Sequence, residues 1–209
     1  MTSPTRPARP AAWRGALLAL SLAAAGLSTA CAPLLLAGGA VGGALVVTDR
    51  RSAATQAEDQ LLDIKVQNRA KELTGDKAHV NATAFNRLVL LTGEVPTEAE
   101  RVSIAEAATK VDNVKTVVNE LAVMPPTSFS QRSNDTLVAT KVKATLVDAK
   151  DLQANAFKVV VERGVVFLMG RVTEREASRA ADLIRTVPGV VRVVRVFEMM
   201  TEEELANLK

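Results

Sequence analysis

The spacing of apolar residues changes character along the 209-residue chain. It opens with two nearly continuous apolar runs, Ala16–Gly26 and Ala32–Val47, on either side of Leu27-Ser-Thr-Ala-Cys31. Beyond residue 58 the runs become short and periodic, and the pattern then repeats at a spacing of about 76 residues. Val66 corresponds to Val142, Thr97 to Thr173, Glu100 to Glu176, and Val111, Val114 and Val117 to Val187, Val190 and Val193. Gly93 and Gly170 stand 77 apart, and the spacing returns to 76 after Pro96, an extra residue of the first copy. Self-similarity at a fixed period marks each copy as one structural unit.

Each unit predicts helix, hairpin, helix and strand. In the second copy Ser133-Asn-Asp-Thr136 offers an N-cap, and Val138, Val142 and Leu146 follow at helical spacing. Phe157–Val161 and Val165–Met169 flank Glu162-Arg163-Gly164, a turn in which glycine supplies a positive φ. Gly170, like Gly93, marks a backbone requirement at the strand end and, secondarily, a place where a ligand approaches closely. The pairs Thr97/Glu100 and Thr173/Glu176 have capping-box spacing and open the second helices. Val-rich strands follow over Val114–Leu121 and Val190–Phe197. A strand-helix-strand step is a crossover, so the fold class is α+β: two αββαβ domains, each a three-stranded mixed sheet with two helices on one face.

The domains fall at 58–122 and 134–200, with a Pro- and Ser-rich linker at 123–133 and a tail at 201–209 that fits either a short amphipathic helix or a frayed end. Residues 1–30 carry Arg6, Arg9 and Arg14, no acid and small residues before Cys31, the pattern of an export signal. A membrane-spanning anchor with a buried free cysteine is the other reading of the segment. Residues 31–57 read as a Gly/Ala-rich tether or, through Gly38/Gly42 and Gly39/Gly43, as a helix-packing face.

Composition then narrows the chemistry. The formal charge of +3 resides entirely in the export signal, so the chain from Cys31 onward is neutral. That remainder also lacks Trp and Tyr, since Trp13 is the sole Trp. Few aromatic platforms and no net positive charge argue against nucleic acid as a partner. Residues 58–126 hold 8 basic and 11 acidic groups, whereas residues 134–200 hold 11 and 8. One Cys and one His, Cys31 and His79, provide no legible metal-ligand set, no cofactor loop and no nucleophile pair. His79 has no counterpart in the second copy, where Ala156 stands, and reads as a loop or edge residue. Glu174 and Glu176 mimic paired acids, but the helix dipole and the capping box account for them. These features predict a protein that is not an enzyme.

Phe167-Leu-Met-Gly-Arg-Val-Thr-Glu-Arg-Glu-Ala177, together with Ser133-Asn-Asp-Thr136 and Asp49-Arg50-Arg51-Ser52, resembles the BON domain, and closely its dual-domain branch of outer-membrane lipoproteins. The resemblance implies an acylated Cys31 as membrane anchor, with Ala32 directing the chain to the periplasmic face of the outer membrane. It further implies a role in envelope integrity, in some members at the division site, and an anionic phospholipid such as phosphatidylglycerol as partner of the second domain. The residues it assigns to phospholipid lie on that domain's first helix: Leu137, Thr140, Lys141, Lys143 and Ala144. Leu137 stands where the branch carries Trp, which weakens the interfacial anchor. On the residues alone, this face is either a shallow interfacial contact or a solvated helix surface with one exposed Leu. A second reading of the same helix makes the protein an adaptor for envelope proteins, such as an assembly factor or a cell-wall amidase activator.

Overall fold

A computed structural model describes residues 49–208. Cys31, expected to carry the lipid, lies outside the described residues, as do the expected signal 1–30 and tether residues 31–48. The first domain comprises α1 (Ala53–Thr74), β1 (His79–Phe85), β2 (Leu88–Val95), α2 (Glu98–Thr109), β3 (Thr116–Asn119) and β4 (Ala122–Val123). The second comprises α3 (Phe129–Asp148), β5 (Phe157–Glu162), β6 (Val165–Val172), α4 (Glu174–Arg185), β7 (Arg192–Met199) and a terminal α5 (Glu202–Ala206).

Both sheets have the expected mixed topology. β1 pairs with β2 and β5 with β6 antiparallel, while β3 and β7 join β2 and β6 in parallel. The first sheet departs in one respect: its last strand is broken into β3 and β4, both paired with β2, because the Asn119 side chain accepts from the Leu121 amide and interrupts the ladder. The tail forms α5, capped reciprocally by Thr201 and Glu204.

Two further departures concern the helix starts. Helix α3 begins at Phe129, inside the segment expected to be linker, and its cap is Ser128, whose hydroxyl accepts from the Gln131 amide. The Ser133-Asn-Asp-Thr136 cluster is therefore helix interior. Residues 52–57, expected to be tether, likewise supply the cap Ser52 and the first turn of α1.

Asp135 has another task. Its carboxylate accepts from the amides of Arg163 and Gly164 at 2.8 Å each and holds the β5–β6 turn. Asp59, at the equivalent place in α1, accepts from the amides of Asn86 and Arg87. All four turn residues have positive φ, as the twist of a two-residue hairpin requires.

The strand periodicity explains how the domains meet. Within β2, Val89, Leu91 and Val95 face α1 and α2, and within β6, Val166, Leu168 and Val172 face α3 and α4. The intervening residues do not face water: Leu90 and Phe85 of the first domain form a third core with Phe167, Met169 and Val196 of the second. The open faces of the two sheets thus close on each other, and a strand buried on both faces reads as a continuous apolar run. Polar contacts rim this core, with Lys158 Nζ reaching Asp63 at 3.3 Å and the Ala84 carbonyl at 3.0 Å, and Asn86 donating to Glu198.

Candidate functional site

Helix α3 packs on its own sheet through Val138, Val142 and Leu146. Positions three and four residues apart share a face, so the side away from this core carries Phe129, Ser133, Leu137, Thr140, Ala144 and Val147. Leu137 is 61% exposed, Phe129 79% and Val147 69%. Exposed apolar residues are common singly, whereas three on one helix face form a stripe.

Local hydrogen bonding makes the stripe more apolar than its composition suggests. The hydroxyls of Ser133, Thr136, Thr140 and Thr145 all donate to carbonyls four residues back, at 2.9–3.0 Å. Hydroxyls turned inward to the helix leave fewer polar groups at its surface. Lys141 and Lys143 are both exposed and, two positions apart, they flank the stripe on opposite sides instead of forming one rim. Leu137, Thr140, Lys141, Lys143 and Ala144 thus share one exposed surface of basic-edged apolar character. Such a surface suits shallow burial at the boundary between headgroups and acyl chains. Phe129 and Val147 belong to it as well; Phe129 became legible only once the helix start moved to Ser128, for which Ser128-x-x-Gln131 was the available signal.

The same position in the first domain supplies a comparison. Leu61 and Ile64 of α1 are 57% and 58% exposed, so an apolar outer face is common to both first helices. The sign of the surrounding charge separates them, because the first domain is acidic and the second basic.

The residues assigned to structure occupy four local devices. Thr173 and Glu176 form a reciprocal capping box at the start of α4. At α2 the pairing is one-sided: the Thr97 hydroxyl accepts from the Glu100 amide, and the Glu100 carboxylate accepts from that hydroxyl instead of from the cap amide. Gly93 and Gly170 lie where a Cβ would stand 2.0 Å from the His79 carbonyl oxygen and 2.3 Å from that of Ala156.

Glu176 also does something the capping pattern does not reveal. The Arg50 guanidinium grips its two carboxylate oxygens at 2.8 and 2.7 Å and donates to the Arg171 carbonyl at 2.8 Å. Burial acts to raise the Glu176 carboxyl, but the hydrogen bonds from Arg50 and Thr173 hold it below the ordinary carboxylate range.

His79, expected to be an isolated edge residue, stands among partners. Hairpin register places it opposite Glu94, and the sheet-on-sheet contact brings Glu162 of the second domain to the same ring. Glu94 and Glu162 are buried. Burial raises the Glu162 carboxyl, against the opposing influence of His79 and with that of Glu94.

Among the described residues, no helix is long and apolar enough to cross a membrane. The BON domain family matches residues 58–125 and 134–200. Outer membrane lipoprotein DolP of Haemophilus influenzae is 38% identical over 185 residues, covering 88% of this chain and 95% of that protein. A 21 kDa hemolysin of Actinobacillus pleuropneumoniae is 33% identical over 150 residues, covering 71% and 77% respectively. A solved structure of CdsD, a structural protein of the type III secretion system of Chlamydia trachomatis, aligns over 69% of this chain and 97% of its own at 12% identity and a TM-score of 0.29.

Proposed function

The chain belongs to the BON-domain family, as an outer-membrane lipoprotein of that family, and from that premise we propose that it binds anionic phospholipid through the outward face of α3. On this reading it is a non-catalytic periplasm-facing protein, held to the membrane through Cys31, whose second domain docks on the leaflet and supports envelope integrity. The observation that carries the reading is the exposed stripe of Phe129, Leu137 and Val147 with a lysine on either flank.

The energetics favour a bilayer with negative headgroups. Each basic side chain near an anionic surface contributes about 1 kcal/mol, and the apolar stripe adds burial that a zwitterionic surface also offers. Neither term is large alone, so binding should require both.

Vesicle flotation of residues 49–209, which lack Cys31 and the apolar runs around it, tests this. This fragment should co-float with phosphatidylglycerol-containing vesicles, float poorly with pure phosphatidylcholine, and lose about thirty-fold in apparent affinity when Leu137→Asp is combined with Lys141→Glu, as two lost contacts of about 1 kcal/mol each predict. Equal flotation with both vesicle types, or an unchanged double variant, contradicts the reading. Capture of an envelope protein that survives removal of lipid and fails in the same double variant would instead support an adaptor role for this helix.

A further inference from the structure

We propose that His79, Glu94 and Glu162 form a divalent-cation site of the zinc-binding type at the seam between the two domains. The Nδ1 of His79 lies 3.2 Å from Glu94 Oε2 and 3.8 Å from Glu162 Oε1, and one potential ligand atom from each residue lies within 4.8 Å of the others. For zinc bonds of about 2.0–2.2 Å to nitrogen and oxygen, adjacent tetrahedral ligands stand roughly 3.3 Å apart. Two of the three edges are therefore near the required length, and a small approach of Glu162 closes the third.

The donor set is the one such a cation selects. One imidazole and two carboxylates, with solvent in the fourth position, suit zinc better than the all-oxygen preference of magnesium or calcium. Solvent has room to enter, because a cavity of about 250 Å³ lies beside the cluster, lined by His79, Asn81, Arg132, Asp135, Thr136 and Glu162.

Surrounding groups orient the ligands. Arg163 Nη1 takes Glu94 Oε1 at 3.0 Å, and the Thr127 amide and hydroxyl steady Glu94 Oε2. The Asn81 side chain meets Glu162 Oε2 at 3.2 Å and His79 Nε2 at 3.4 Å. Both contacts are made by Asn81 Nδ2, which donates to Glu162 Oε2 and so fixes that ligand from outside the site, while ligation by His79 Nδ1 leaves the ring hydrogen on Nε2. Charge points the same way: Glu94, Glu162 and Asp135 are buried within this seam, and Arg163 and Arg132 leave one negative charge over. A cation would then fasten the two sheets, since its ligands come from β1 and β2 on one side and β5 on the other.

The full chain in detergent, carrying Cys31→Ser to remove its single thiol, provides the test. After zinc loading and dialysis it should retain one zinc per chain, and saturating zinc should raise the thermal unfolding midpoint by roughly 5 °C, reversed by chelator. Cobalt(II) should give the visible absorption of a low-coordinate site. His79→Ala and Glu162→Gln, each checked for native far-UV circular dichroism, should abolish retention, and Asn81→Ala should weaken it about ten-fold. Retention absent from the parent chain, or equal in His79→Ala, overturns the proposal and leaves the cluster a hydrogen-bonded seam.

Discussion

Replacing Arg50 by alanine is expected to destabilise the fold by about 3 kcal/mol, because the change strands a buried carboxylate without its cation. The side chains of Arg50 and Glu176 are only 5% and 4% exposed, and Arg50 also supplies the Arg171 carbonyl with a donor. The contact joins the residue two places before the α1 cap Ser52 to the first turn of α4, so its loss also loosens the lead-in of the first domain from the second. Denaturant unfolding followed by far-UV circular dichroism measures the cost, and Glu176→Gln added to Arg50→Ala should recover part of it by removing the stranded charge.

The pH dependence carries the same signature. Glu176 has a depressed carboxyl in the folded chain, so its stabilisation is complete above the unfolded glutamate value, about 4.3, and is lost as pH falls through the folded value. Asp63 acts in the opposite sense: burial raises its carboxyl in spite of Lys158, so its contribution improves as pH falls. The informative quantity is therefore the difference between parent and Arg50→Ala, which should shrink toward acid pH. A difference that stays constant would show that Arg50 acts through packing and not through Glu176.

Gly170→Ala should cost about 3 kcal/mol or more, the upper range for overpacking, since the added methyl meets main chain that cannot swing away. Its Cβ would lie 2.3 Å from the Ala156 carbonyl oxygen, and the local φ of +159° adds strain for any side chain. Gly93→Ala meets the His79 carbonyl at 2.0 Å and should behave alike in the first domain. Because Phe85 and Leu90 share a core with Phe167, Met169 and Val196, each variant should lower the unfolding midpoint of the whole chain in one transition. A loss below 1 kcal/mol, or a separate transition for the damaged domain, would count against the shared core.

What the sequence disclosed was local. Capping residues, turn glycines and the 3.6- and 2-residue periods act over a few positions, and the repeat doubled each signal. Ser128 went unseen as a cap because Pro125 and Pro126 beside it read as linker. The apolar runs of β2 and β6 did announce strands covered on both faces, but a run carries no label for what covers it. Contacts across the domain seam were illegible for the same reason: Arg50 meets Glu176 and His79 meets Glu162 only after two separately encoded sheets close together. The α3 surface was half legible. Leu137 and its lysines stood out by spacing, whereas the inward turn of four hydroxyls needed the helix itself.

The absence of Trp and Tyr after residue 30 makes the most direct measurement simple, because a single introduced Trp reports alone once the export signal is removed. Leu137→Trp should show a blue-shifted emission on phosphatidylglycerol vesicles and quenching by brominated acyl chains near the headgroups, with neither change on pure phosphatidylcholine. Leu61→Trp, at the matching exposed position on the acidic first domain, should show neither with either lipid. No shift at position 137, or the same shift at position 61, would contradict the assignment of the α3 face as the membrane-docking surface.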